Sequence, residues 1–113
     1  VFVTQQSGGT DCYGINESLG VPLNEEFAHW NLAIAAQELQ EHGFKITFSR
    51  EDFLPQRFYD IGALVYYLMA IPWKIPDFKV ERYIEPLHHI HRMIRTNGYF
   101  EVQQHRFILI AEV

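Results

Sequence analysis

The sequence predicts an α/β fold of three layers, with one sheet ordered first-third-second and its last strand antiparallel to both neighbours. Three observations carry that expectation. Arg106-Phe107-Ile108-Leu109-Ile110-Ala111-Glu112-Val113 is a continuous apolar run, and a strand apolar on both sides belongs mid-sheet with helices over each face. Phe44–Ser49 alternates apolar with polar residues, which suits a half-buried strand at an edge. Stripes at three-to-four spacing lie between the strand candidates, and strand, helix, strand in that order is a right-handed crossover with its strands parallel.

Along the chain, Val1–Gln6 reads as the first strand: β-branched and aromatic residues, then glutamines, then Gly8-Gly9 as a breaker. Ser7 to Leu23 reads as a long connection with Gly8, Gly9, Gly14, Gly20 and Pro22, a length that marks functional or mobile loops. The first helix is expected to start at Asn24, with Glu25 and Glu26 at the positive end of its dipole. Phe27, Trp30, Ile34, Ala35, Ala36 and Leu39 form its stripe, and His42-Gly43 is the stop. Asp60 is the expected cap of a second helix with Ile61, Leu64, Val65 and Leu68 on one face; the apolar loop Ile71–Pro76 ends it. A third helix spans about Val80–Arg95, with Val80, Tyr83, Ile84, Leu87, Ile90 and Ile94 inward. Pro86 inside it costs about 3 kcal/mol, so a kink or restart is expected near Glu85. Asn97-Gly98 stops that helix, and Tyr99–His105 leads into the final strand.

The 113 residues suffice for one domain with one core, spanning 1–113. No apolar stretch approaches the ~20 residues that span a bilayer. Val1-Phe2-Val3-Thr4 lacks the charged leader and long apolar region of an export signal, and it reads as the start of a segment from a longer protein. Cys12 is the one cysteine, so no intramolecular disulfide argues for an oxidising compartment, and a cytoplasmic location is expected. The net charge of −5 is uneven: residues 1–54 hold eight acids and two bases, residues 55–113 six acids and seven bases. Phosphate-backbone binding wants a basic footprint, so a small-molecule substrate is favoured over nucleic acid.

The unpaired edge expected on the first strand is an aggregation hazard unless something covers it: a preceding half of the protein, or a second copy pairing along residues 1–6. This topology resembles the C-terminal half of class I S-adenosylmethionine-dependent methyltransferases of small bacterial type, whose Rossmann-like sheet ends in one reversed strand inserted between the preceding two. Val1-Phe2-Val3-Thr4-Gln5-Gln6 resembles that family's fifth strand. Asn31–Gly43 with Phe44-Lys45-Ile46 resembles its next helix and sixth strand, and His105–Ala111 its seventh strand. Arg57-Phe58-Tyr59-Asp60-Ile61-Gly62-Ala63-Leu64-Val65-Tyr66-Tyr67-Leu68 resembles a segment inserted in some small bacterial members. The resemblance implies methyl transfer to an N, O or C nucleophile, with S-adenosylmethionine held by residues upstream of this chain. The family's glycine-rich turn and ribose-binding acid have no counterpart here, and Gly8-Gly9 lacks the context of a dinucleotide turn.

Ligands of open α/β sheets bind beyond the carboxyl ends of parallel strands. That places Gln5 and Gln6 as donors or acceptors to a substrate, or simply as strand-ending residues. Trp30 is a substrate-contacting or core aromatic, and His29 beside it a candidate base. Arg57, Tyr59, Tyr66, Tyr67 and Trp73 are the candidate substrate lid, while a capping Asp60 and an ion-paired Arg57 are the plainer account. His88, His89 and His91, even joined by Cys12, His29 and His105, match no metal-ligand spacing, so no metal is expected. A non-catalytic α+β binding module with an apolar pocket under Ile71–Phe78 is the alternative.

Overall fold

The computed structural model describes residues 1–24 and 26–113. In order these form β1 (Phe2–Ser7), α1 (Tyr13–Leu19), α2 (Leu32–Glu41), β2 (Lys45–Phe58), α3 (Ile61–Ala70), a 3-10 turn at Val80–Tyr83, α4 (Ile84–Asn97) and β3 (Phe100–Glu112). The sheet order is β1-β3-β2. β3 is antiparallel to both neighbours, with Ile108 opposite Gln5 on one side and Arg50 on the other. The late return of the chain into the sheet centre is therefore as the apolar run predicts, and β1 and β2 run in one direction. A bulge at Ile46/Phe48 shifts the register once, and Thr47 there donates its hydroxyl to the Ile110 carbonyl at 3.1 Å.

The sheet has two cores, on opposite faces and at opposite ends. Side chains alternate across a strand, and β3 changes its buried set halfway: Phe100 and Val102 are buried, then His105, Phe107, Leu109 and Ala111. No register shift separates these sets along β3, so the even- and odd-numbered residues point to different faces. Phe100, Val102 and Phe58 join Ile15 and Leu19 of α1, Leu64 and Leu68 of α3, and Leu87, Ile90 and Ile94 of α4. Phe107 and Leu109 join Ala35 of α2, with Trp30, Leu32, Leu39 and Ile46 packed around them. The expected helices over both faces are present, but staggered. Beyond Gln104 no helix among the described residues covers the even face: Val3 is 58% exposed and Phe48 49%, with Ile108 and Ile110 half-buried between them.

Several expectations need correcting. The edge strand does not end at Ser49 but runs to Phe58, so Arg57 lies in β2 rather than at a helix start. The connection after β1 contains α1, a seven-residue helix. Gly14 lets it approach the sheet, since a Cβ there would sit 2.9 Å from Val102 Cγ1. The helix expected from Asn24 starts at Leu32, capped by Asn31, whose side chain accepts from the Ile34 amide at 3.0 Å. Asn24 instead closes a local turn onto the Glu26 amide at 3.0 Å; Glu25 lies outside the described residues. The restart at Pro86 occurs, with the 3-10 turn giving way to α4 at Ile84, yet Val80 and Ile84 are exposed rather than inward. Asp60 caps α3 through the Ala63 amide at 2.7 Å, and Gly98 closes α4 at φ 91°. Among the described residues no helix is long and apolar enough to cross a membrane.

Candidate functional site

β1 ends at Ser7 and the chain turns along the edge of β3, its amides taken in sequence: Gly8 donates to the His105 carbonyl, Gly9 to that of Trp30, Cys12 to that of Gln103. The two glycines are required by packing. A Cβ on Gly8 would fall 2.1 Å from the His105 ring, and one on Gly9 2.1 Å from the Phe27 carbonyl. This turn, the segment before α2 and the segment after α3 enclose a cleft of about 1020 Å³ beyond the carboxyl end of β1, where open α/β sheets place their ligands.

Gln6, Phe27 and Trp30 line the cleft together with Tyr67, Trp73 and Lys74. Trp30 Nε1 donates to Gln6 Oε1 at 2.8 Å, which fixes the ring and uses its one polar atom. Lys74 Nζ donates to the Asp11 carbonyl. Burial pulls the Lys74 ammonium below its ordinary value of 10.5, against the opposing charges of Cys12 and Asp11. Asn16, only 1% exposed, gives its Nδ2 hydrogens to the carbonyls of Pro22 at 3.2 Å and Lys74 at 3.4 Å. Two carbonyl partners fix the amide orientation and leave Oδ1 without a donor among the described residues. Cys12 is fully buried beneath this wall, between Tyr67 OH at 3.8 Å and Gln56 Oε1 at 3.6 Å. Burial raises both its thiol and the Tyr67 phenol, so both stay neutral at pH 7 and neither is an activated nucleophile.

His105 holds the cleft turn to the sheet. Its Nδ1 lies 2.8 Å from Thr10 Oγ1 and accepts the Thr10 amide at 3.4 Å, while Nε2 meets Glu51 Oε2 at 2.8 Å. A carboxylate only accepts, so the hydrogen belongs on Nε2. The Phe53 ring stacks on the imidazole at 4.5 Å, and Asp11 Oδ1 accepts the His105 amide at 2.8 Å. Glu51 Oε2 also accepts the Leu32 amide at 3.0 Å, giving α2 a second cap from across the sheet. The hydrogen bond from His105, then that from Leu32, hold the Glu51 carboxyl below its ordinary value. Sequence reasoning missed this network because its members lie up to 95 residues apart; the polar histidine beside an otherwise apolar strand was the one available signal.

Of the residues singled out from sequence, Gln6, Trp30, Tyr67 and Trp73 come together on the cleft. Gln5 faces away, on the uncovered even face opposite Ile108. Arg57 is at the far end of β2, bonded to Glu101 at 2.9 Å with its guanidinium 4.0 Å over the Tyr99 ring. Tyr59 and Tyr66, 65% and 76% exposed, do not line the cleft. His29 is exposed in the turn before α2, and His88 and His89 sit on a surface groove with Arg92.

The Gly8-Gly9 turn is not shaped as a dinucleotide cradle. The Gly8-Gly9 amides are bonded within the protein, the space above both glycines is filled, and α1 is a seven-residue helix that opens five residues after Gly8. No protein family and no curated protein matches the chain.

Proposed function

We propose that this chain is the acceptor-binding part of an S-adenosylmethionine-dependent methyltransferase with a Rossmann-like sheet, acting on a small molecule in the cytoplasm. The observation that carries the reading is the reversed β3 inserted between β1 and β2. Two others support it. β1 lies at the edge of the sheet and Val1–Ser7 carries no charge or proline to protect that edge, as suits a strand that pairs with further sheet. The cleft opens beyond the carboxyl end of β1, where that sheet would bring a cofactor. Cofactor-binding residues are assigned to polypeptide upstream of this chain, docked along β1.

The work of this segment is to bind, orient and dry the acceptor. Trp30, Phe27 and Trp73 supply apolar walls and Lys74 a polar anchor, the make-up of a small-molecule pocket. Holding the acceptor in one orientation is what such walls contribute to a two-substrate reaction. Buried, free Cys12 is in keeping with a reducing compartment.

Calorimetric titration of the full-length protein with S-adenosylmethionine tests the reading: saturable binding of one equivalent is expected, and no heat of binding defeats it in favour of a non-catalytic binding module. In the same protein Trp73→Ala weakens acceptor binding more than cofactor binding; equal losses would remove Trp73 from the acceptor site.

A further inference from the structure

We propose that the cleft takes a flat aromatic molecule bearing an anionic oxygen, a carboxylate or phenolate, with its ring against Trp30 and Trp73 and its oxygen at Lys74. The assignment rests on the acceptor-side reading and names the class of acceptor. Three features carry it. The side chains available for apolar contact are aromatic: Phe27 and Trp73 are more than half exposed, and the Trp30 nitrogen is already bonded to Gln6, so these rings offer faces and edges to another ring.

The second feature is charge. Lys74 is the one cation lining the cleft among the described residues, and its ammonium is half-buried with no carboxylate within ion-pair distance among them. One of its three hydrogens goes to the Asp11 carbonyl, leaving two donors for a ligand. A partly desolvated cation with no carboxylate in contact is stabilised by an anion, and burial outweighs the more distant charge of Asp11 in lowering its proton affinity.

The third is where the acids lie. Asp11 turns its carboxylate to the His105 amide and to Arg106, 3.7 Å away, and Glu26 and Glu38 are exposed. The inner wall therefore favours one negative charge while the exposed acids disfavour a polyanion. At about 1020 Å³ the cleft is large enough for one or two fused rings.

The test uses three probes on one ring system, the isosteric pair 2-naphthoate and 2-naphthamide and the cation 2-naphthylmethylammonium, titrated calorimetrically into the protein without S-adenosylmethionine. Naphthoate is expected to bind about tenfold or more tighter than the amide, as a charge-assisted hydrogen bond gives. Lys74→Met removes that preference, naphthoate losing about tenfold more affinity than naphthamide, whose remaining binding reports an intact cleft; Lys74→Arg keeps it. Equal affinity for acid and amide, tightest binding of the ammonium compound, no binding of any probe, or a preference that survives Lys74→Met overturns the proposal. Should Lys74→Met fail to fold, the acid-to-amide ratio in the unaltered protein still decides. Because the cofactor is left out, naphthoate binding can stand while methyl transfer fails, and cofactor binding without acid preference defeats only the aromatic-anion assignment.

Discussion

The two ends of the sheet are finished to different degrees. Where Phe58 meets Phe100, α1, α3 and α4 close over one face and leave Ile15, Leu64, Leu68, Ile75 and Ile90 with no exposure. Where Phe2 meets Ala111, α2 covers one face only, and Val3, Phe48, Ile108 and Ile110 lie bare or half-buried on the other. The same strand, β3, serves both ends. Each half packs on a different face, and among the described residues no helix lies over its even-numbered residues past Gln104. The closed end behaves as a domain core; the open end has the surface of a sheet awaiting another layer. The cleft, with Gln6, Trp30, Trp73 and Lys74, lies between them.

The largest effect that would break this contrast is at the closed end. Ile90→Ala deletes a fully buried side chain and is expected to cost about 2–5 kcal/mol, read from urea unfolding; a loss below about 1 kcal/mol would mean that end is not the core. Next comes the crossing point. Glu51→Gln is expected to cost about 1–3 kcal/mol at neutral pH by weakening the bond to His105. Since the Glu51 carboxyl is held below its ordinary 4.5, its contribution is complete above about pH 4.5 and lost as pH falls through the lowered value. Stability of the unaltered protein should thus fall in that acid window, and the variant's curve should be flatter there. Asp60→Ala removes the α3 cap for about 1 kcal/mol, and Tyr59→Ala, on an exposed residue away from the cleft, should stay within about 0.5 kcal/mol and leave ligand binding unchanged.

The order of the strands was legible because Ile108 and Ile110 interleave with Phe107 and Leu109, and only a central strand accepts apolar residues at both parities. The second half of β2 was not: Asp52 and Pro55 are poor strand formers, and it is pairing with β3 from Phe100 to Arg106 that makes it a strand. α1 was missed for a similar reason. Gly14, Asn16 and Ser18 are poor helix formers, and the turn is held by burying Ile15 and Leu19, whose spacing of four with Gly20 behind was its one signal. α2 starts after Asn31 rather than at Asn24: Asn31 caps the Ile34 amide, and Glu51, distant in sequence, caps that of Leu32. In the cleft, Trp30, Trp73 and Gln6 could be named from residue type and place in the chain. Lys74 could not, because its meaning depends on burial and on which carboxylates fail to reach it.

Amide hydrogen exchange across Phe2–Ser7 in the full-length protein tests most directly whether the open end is a joint. In an antiparallel pair only alternate residues bond to the neighbouring strand, so β3 by itself can protect only alternate amides of β1. If β1 joins further sheet, the amides of Val3 to Gln6 should all exchange as slowly as those of β3; fast exchange at every second position would contradict the account.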